Sequence, residues 1–153
     1  MTAERRLVLD ANILIRAVLG KRVLSLLTKY EDSASFFTPD VCFADARRHL
    51  DTIFKRRGMP VDSAIEILDQ VALLVGSIAA SFYQDFEAPA MRRIRRRDPT
   101  DWVVVAASLF LDCPIWTEDK DFFGSGIATW TTDRVEVYLE EPPEPERSAE
   151  ALP

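Results

Sequence analysis

Hydrophobic and polar positions along the chain fall into blocks whose spacing changes from strand-like to helical. An apolar run from Leu7 to Leu9 ends on Asp10, as a short buried strand does. The next residues return to an apolar side chain every three or four positions, which predicts a helix. These helical positions are Ile13, Leu14, Ala17 and Val18. The chain therefore opens with a strand followed by a helix.

The alternation continues through the first half of the chain. A helical pattern runs from Val23 to about Tyr30, and the strand-like segment SFFTPD follows it. The next helix covers VCFADARRHLDTIFKRRG and ends at Gly58, a residue type that commonly terminates helices. Another helix is predicted from Asp62, with Ile65, Leu68, Val71 and Ala72 at core spacing.

In the second half, ASFYQDFEAPAMRRIRRR predicts a helix that Pro89 kinks or splits. The segment DPTDWVVVAASLFLDC has the strongest helix start in the chain, with Asp98 as N-cap, Pro99 at the first position and Asp101 in the first turn. PIWT and IATWTT predict two further strands. Strands alternating with helices predict an α/β fold, a three-layer sandwich with a central parallel sheet.

Composition limits this fold to one domain. The 153 residues are 48% hydrophobic, which suffices for one core and not for two ordinary domains. We expect a single domain over residues 1–139 and an acidic, disordered tail over residues 140–153. Two cysteines and a single histidine provide no zinc cluster. No leader opens the sequence and no apolar run approaches the roughly 20 residues of a membrane span, so we expect a soluble, cytoplasmic protein.

The net charge of −6 is unevenly distributed. The tail EEPPEPERSAEALP carries −4 of it, which leaves −2 for residues 1–139. The segment MRRIRRR, in contrast, places five arginines within six positions: Arg92, Arg93, Arg95, Arg96 and Arg97. This cluster is a candidate phosphate-binding segment, although a solvated helix end has the same composition.

Parallel sheets bind ligands at the carboxyl ends of their strands, where the strand order reverses. Asp10 ends the first predicted strand, and Asp119 closely follows PIWT. Asp101 opens the helix that precedes PIWT, so an antiparallel helix brings it to the same edge. Asp45 lies one turn into the helix that leaves SFFTPD. The topology thus predicts four carboxylates at one rim.

Carboxylates that lie close together repel one another unless a cation lies among them. A ligand set of oxygen atoms, with no histidine or cysteine, suits Mg²⁺ or Mn²⁺. Such an ion can activate water and neutralise charge on a phosphodiester. Asp10 is the residue least easily explained without a ligand, because it places a charge at the end of an apolar strand. The others have ordinary alternatives: Asp98 and Asp101 as helix caps, Asp45 as a partner of Arg48 or His49, and Asp119 as a turn residue.

Four motifs in this order resemble the PIN domain, the metal-dependent nuclease domain whose best-known members are the VapC toxins of bacterial toxin–antitoxin modules. They are LVLDANILIRAVLG, PDVCFADARRHL, DPTDWVVVAASL and PIWTEDKDFFG, and the resemblance extends from Leu7 to about Leu139. It implies a PIN-like, Rossmann-like fold.

The resemblance also implies residue roles. The catalytic acids fall on Asp10, Asp45, Asp101 and Asp119, and the metal ligands on Asp10, Asp101, Asp119 and Asp121. Asn12, Asp98 and Thr117 support the site. The second acid of the family is usually Glu, and Asp45 is one methylene shorter; Asp40 is the alternative at this position.

The resemblance further implies an RNA substrate, a cognate antitoxin protein and a homodimer. The arginine cluster immediately precedes the predicted metal-ligand segment, so its position makes it a candidate for holding RNA phosphates. Two other interpretations remain. The first is a PIN-like module without activity that binds RNA or a protein, which the shorter Asp45 permits. The second is a receiver-like phosphoacceptor domain, which needs paired acids after the first strand, where LVLDAN has only one.

Overall fold

The structure, a computed structural model, describes residues 4–94 and 97–140. Within them the chain forms a five-stranded sheet in which every pairing is parallel. The strand order is β3-β2-β1-β4-β5. The strands are β1 (Arg5–Leu9), β2 (Ala34–Pro39), β3 (Val75–Ile78), β4 (Ile115–Trp116) and β5 (Thr129–Trp130).

Helices fill the connections between the strands. They are α1 (Ala11–Leu19), α2 (Arg22–Lys29), α3 (Asp40–Arg56), α4 (Asp62–Leu74), α5 (Ala80–Tyr83), α6 (Glu87–Ile94), α7 (Trp102–Leu111) and α8 (Val135–Glu140). Three short 3₁₀ turns join them, at Gln84–Phe86, Pro99–Asp101 and Lys120–Phe122.

The helices form a layer on each face of the sheet. Helices α1 to α4 pack against one another, whereas α5 and α6 pack on α7. The chain moves outward from β1 to β3 and then returns across the sheet to β4, so right-handed crossovers place the two groups on opposite faces. Strand β1 is central, and Leu7, Val8 and Leu9 are completely buried. The predicted α/β sandwich with a central parallel sheet is confirmed.

The strand order reverses at β1, which pairs with β2 on one side and with β4 on the other. Parallel sheets have their ligand-binding crevice at this point, beyond the carboxyl ends of the strands. Val8 is opposite Ile115 and Leu9 is opposite Trp116. Asp10 and Thr117 are therefore the first residues beyond the paired ends of β1 and β4. The sheet topology places them next to each other.

Several elements differ from the sequence prediction. Strand β3 was not predicted, because Gly76 and Ser77 are exposed and only the ends of this edge strand are buried. The helix predicted from residue 80 divides at the Gln84–Phe86 turn. Pro89 does not cause the division, since it is the third residue of α6, where the missing amide has no acceptor within the helix.

Helix α8, also not predicted, is attached to α2 by a polar cluster. Glu136 accepts hydrogen bonds from Arg22 at 3.0 Å, Lys29 at 3.0 Å and the Tyr30 hydroxyl at 2.7 Å. These contacts depress the pKa of Glu136 to about 2, with the Tyr30 hydrogen bond as the largest cause. They hold the last described helix against the first helical layer.

Within the described ranges, no helix combines the length and apolar character needed to span a bilayer. The predicted acidic tail, apart from Glu140, lies outside the described residues, as do Arg95 and Arg96.

Candidate metal centre

Asp10 is a buried carboxylate at the switch point of the sheet, with 5% of its surface exposed. Its Oδ1 accepts a hydrogen bond from the Ile13 amide at 3.0 Å and caps α1, and its Oδ2 accepts one from the Thr117 hydroxyl. Burial raises the pKa of Asp10 to about 6, the two hydrogen bonds oppose this rise, and Asp119 and Glu118 add to it. Burial thus disfavours the charged form of Asp10 in the folded chain.

Asp98 and Asp101 lie on the 3₁₀ turn that precedes α7. Asp98 caps this turn by accepting hydrogen bonds from the Thr100 amide at 3.0 Å and the Thr100 hydroxyl at 2.6 Å, which lower its pKa. Asp101 follows three residues later. Its pKa is raised to about 7, first by burial and then by Asp98, Asp119, Asp10 and Asp121. The pKa values of two carboxylates one turn apart are therefore shifted in opposite directions.

Asp119 and Asp121 follow β4 on the Lys120–Phe122 turn. The Asp119 amide donates a hydrogen bond to the Thr117 hydroxyl at 2.9 Å, and the Asp119 Oδ1 accepts one from the Asp121 amide at 2.9 Å. Asp119 is therefore a turn-forming residue, the ordinary role considered for it. Its charge nevertheless raises the pKa of both Asp10 and Asp101.

The carboxylates of Asp98, Asp101 and Asp121 converge. One oxygen from each lies within 4.8 Å of the others. Two ligands on opposite sides of a Mg²⁺ ion are about 4 Å apart, so a small inward movement places all three around one ion. Asp10 and Asp119 lie close enough to raise the pKa of Asp101. The acidic centre thus combines residues from the ends of β1 and β4 and the start of α7.

The donor atoms fit a hard divalent cation. The Asp101 Oδ2 is buried and has no hydrogen-bond partner among the described residues. An isolated buried carboxylate oxygen is destabilising, and a cation satisfies it. All candidate ligands are carboxylate oxygens, the ligand type that Mg²⁺ and Mn²⁺ prefer.

Asp45 lies apart from this convergence. On α3, its side chain is 41% exposed and forms an ion pair with Arg48 one turn further on. His49 Nδ1 contacts the backbone oxygen of Asp45 at 2.8 Å. Asp45 is not among the main causes of the raised pKa of Asp10 or Asp101, although both Asp10 and Asp45 raise the pKa of Cys42. Its catalytic role stays a prediction.

The carboxylate of Asp40, the alternative to Asp45, also has hydrogen-bond partners. Its Oδ1 accepts hydrogen bonds from the Tyr83 hydroxyl at 3.0 Å and the Val41 amide at 2.8 Å. Of the supporting residues, Thr117 is completely buried against Asp10, whereas Asn12 is exposed on α1.

Two arginines of the predicted RNA-binding cluster contact the loop that follows the metal centre. Arg93 donates to the Ser125 carbonyl at 2.8 Å, and Arg97 donates to the Lys120 carbonyl at 2.8 Å. Arg92 is exposed on α6. Arg93 and Arg97 therefore hold the loop that contains Asp121, and each guanidinium group keeps further donors for phosphate.

The sequence did not indicate the full role of two acidic residues. Asp98 was considered a supporting residue, but it is one of the three converging carboxylates. Its spacing of three residues from Asp101 was the available signal, since such residues share one side of a helical turn. Glu118 raises the pKa of Asp10 and accepts a hydrogen bond from the Thr132 amide at 2.7 Å. No motif distinguishes it from a turn residue.

The likeness of the chain to known proteins lies in its family pattern and in its fold. A family model described as "PIN domain" matches residues 8–140. No curated protein matches the chain.

Several solved structures share the fold. One is VapBC2 from Rickettsia felis, bound to a DNA fragment from its own promoter. It has 9% sequence identity to this chain and a TM-score of 0.67, and the match covers 82% of this chain and 98% of that chain. PAE2754 from Pyrobaculum aerophilum has 14% identity and a TM-score of 0.68, with 90% of each chain covered. VapBC-1 from nontypeable Haemophilus influenzae has 13% identity and a TM-score of 0.57, with 84% and 99% covered.

Proposed function

The chain belongs to the PIN-domain family, and from this premise we propose that it is a divalent-metal-dependent endoribonuclease that acts as the toxin of a toxin–antitoxin pair. The proposed cofactor is Mg²⁺ or Mn²⁺, and the proposed location is the cytoplasm. The proposed substrate is RNA.

One observation carries the proposal: Asp98, Asp101 and Asp121 converge within 4.8 Å at the switch point of a parallel sheet. The unpartnered Asp101 Oδ2 lies in this group. Three carboxylates brought to one point from the turn before α7 and the turn after β4 need a counter-charge, and a metal ion supplies it. A receiver-like phosphoacceptor is less well supported, because Asp10 is the single acid at the end of β1.

A bound divalent cation supplies Lewis acidity, which activates water and neutralises charge that develops on the phosphodiester. Asp98, Asp101 and Asp121 would hold the cation. Asp10 completes the centre from the neighbouring strand, and the Thr117 hydroxyl fixes its orientation. Asp119 shapes the turn that presents Asp121. No side chain is required as a nucleophile.

The proposed partners follow from the family. A cognate antitoxin protein would silence the enzyme, and two copies of the chain would form a homodimer. The fold shared with two VapBC structures supports the antitoxin proposal. Co-expression with a small protein encoded directly beside this gene tests it, with restored growth and co-purification as the expected results, and the absence of such a neighbouring gene would count against the proposal. Light scattering of the purified chain tests the dimer.

Cleavage of single-stranded RNA by the purified protein tests the enzyme. We expect cleavage with Mg²⁺ or Mn²⁺ and none with EDTA. Asp101→Asn should reduce the rate by more than the roughly 10–100-fold typical of changes around a metal ligand. The matched control is Asp32→Asn, which removes one exposed carboxylate before β2, at the opposite edge of the sheet.

Three results would contradict the proposal: cleavage that persists in EDTA, cleavage by Asp101→Asn at the parental rate, or loss of cleavage in Asp32→Asn as well. Asp45→Asn and Asp40→Asn, assayed in parallel, show which residue of α3 takes part. If both variants cleave RNA at the parental rate, neither residue of α3 belongs to the catalytic site.

A further inference from the structure

A pocket lies next to the loop that follows β4, at the same edge of the sheet as the metal centre. Its volume is about 450 Å³, and it lies between the end of α1, the start of α2 and the loops that follow β4 and β5. The charged and polar side chains that line it are Arg16, Lys21, Arg22, Glu118, Thr132 and Asp133.

Two of these residues connect the pocket to the metal centre. Glu118 lies between Thr117 and Asp119 in the chain, and its charge raises the pKa of Asp10. The hydrogen bond from the Thr132 amide fixes its carboxylate at 2.7 Å. Arg16 lies on α1, the helix that Asp10 caps. The pocket and the acidic centre are therefore both bordered by α1 and by the loop that follows β4.

The cations of the pocket differ in their availability. Arg22 is held by Glu136 at 3.0 Å. Arg16 and Lys21, in contrast, form no ion pair within residues 4–94 and 97–140. Helix α2 also begins here, with Lys21 as an N-cap whose side chain makes no capping hydrogen bond, so its amide end adds positive partial charge.

A strand that places one phosphate over the acidic centre and continues toward α2 brings a neighbouring phosphate to this surface. The acidic centre repels that phosphate, and Glu118 and Asp133 add to the repulsion on one side of the pocket. Arg16 and Lys21 provide the attraction needed on the other side. Arg93 and Arg97, by comparison, each already donate to a backbone carbonyl.

We propose that the pocket between α1 and α2 binds a backbone phosphate of the RNA strand, next to the one that is cleaved, through Arg16 and Lys21. This inference rests on the proposed ribonuclease function. It assigns the pocket the task of fixing the strand while the metal centre acts on the neighbouring phosphodiester.

The test is the salt dependence of RNA binding by Arg16→Gln/Lys21→Gln. The probe is a fluorescein-labelled single-stranded RNA, with EDTA present to prevent cleavage and anisotropy measured between 50 and 200 mM salt. The expected result is weaker binding and a log-log slope that is shallower by about 0.7 for each phosphate that the variant no longer neutralises. Lys21→Gln alone serves as a second variant if the double variant does not fold.

The matched control is Arg56→Gln/Arg57→Gln, which removes the same charge at the exposed end of α3, away from the carboxyl edge of the sheet. A parental slope in Arg16→Gln/Lys21→Gln, or an equal change in both double variants, overturns the proposed pocket. These outcomes are distinct from failure of the ribonuclease proposal, which metal-dependent cleavage by the parent protein decides separately.

Discussion

Asp10 is the residue at which folding and the proposed chemistry conflict most directly. Its pKa of about 6 in the folded chain, against an ordinary value of 3.8, means that the folded state binds a proton more tightly than the unfolded state. The favourable contribution of the protonated group is complete below pH 3.8. It is lost as the pH rises through about 6, and above that pH the charged form destabilises the protein without metal.

Asp10→Asn should remove this penalty, because Asn keeps an oxygen for the Ile13 amide. We expect the melting temperature of Asp10→Asn minus that of the parent, measured in EDTA, to increase between pH 4 and pH 8. A shift of about two pKa units corresponds to at most about 3 kcal/mol. In the control, Asp32→Asn, the difference should stay constant. A constant difference for Asp10→Asn as well would show that the Asp10 charge carries no such cost.

Thr117 provides a second prediction at this scale. Its buried hydroxyl donates to Asp10 and accepts from the Asp119 amide. Thr117→Val keeps the shape but leaves both groups unpaired, at a cost of about 1–3 kcal/mol each. Thr117→Ser keeps the hydroxyl and loses only a methyl group, worth about 0.8 kcal/mol. Urea unfolding should therefore rank the Val variant below the Ser variant, and the reverse order would contradict the role assigned to the hydroxyl.

The sequence predicted which strands and helices contribute to the acidic centre, but it predicted less well where their side chains point. Asp10 and Asp101 were predictable because a strand end and a helix start fix where their backbones lie. Asp45 was predicted by its position one turn into α3, but position alone did not decide between the acidic centre and the alternative partner Arg48, with which Asp45 forms an ion pair. Asp98 appeared to be a helix cap, and it is both a cap and a member of the converging group.

At the scale of elements, the loop after β4 depends on glycine and on α6. Gly126 has a φ of +83°, and a Cβ there would lie 2.5 Å from Arg93 Nη1. Gly58 has a φ of +63°, but open space surrounds its missing side chain. The two positions share the backbone strain and differ in the neighbouring guanidinium group.

Gly126→Ala should therefore be more destabilising than Gly58→Ala. Each variant carries the left-handed backbone penalty of about 1–2 kcal/mol. Gly126→Ala also displaces Arg93 from the Ser125 carbonyl, which adds about 1 kcal/mol. Urea unfolding measures both, and in an Arg93→Gln background the extra cost should disappear. Equal costs in the parent background would show that Arg93 does not brace the loop.

Secondary structure was predictable where the apolar period was long and was missed where it was short. Helices α1 and α3 present several buried positions at regular spacing. Strand β3 has two buried residues separated by Gly76 and Ser77, and it follows α4 without a break, so no change of period marks its start. Helix α8 is anchored by Glu136, a contact with α2 that local sequence does not contain.

For the whole molecule, metal binding and stability are linked. A cation that binds only the folded state stabilises it by about 2.7 kcal/mol at 100 times its dissociation constant. For a chain of this length, we expect each kcal/mol to raise the melting temperature by about 2–4 °C. Mg²⁺ or Mn²⁺ should therefore raise the melting temperature of the parent protein.

Whether Asp101→Asn melts above or below the parent should depend on the metal. Without metal the variant should melt above the parent, because Asp101 then no longer adds to the repulsion within the acidic group. With metal it should melt below the parent. Thermal melts in EDTA and in millimolar Mg²⁺ measure both, with Asp32→Asn following the parent throughout. A variant that gains as much from Mg²⁺ as the parent does would exclude Asp101 from the metal site.

The strand order has a consequence for the timing of synthesis. The carboxylates of the acidic centre extend from residue 10 to residue 121, so ribosomes that add about 5–20 residues per second need roughly 6 to 20 seconds to complete the set. Until β4 emerges and inserts beside β1, the nascent chain lacks the complete acidic centre. If the chain is the toxin proposed above, it would spare the ribosome and the message that produce it until synthesis is nearly complete, and chains truncated before Asp119 should leave growth unaffected when expressed.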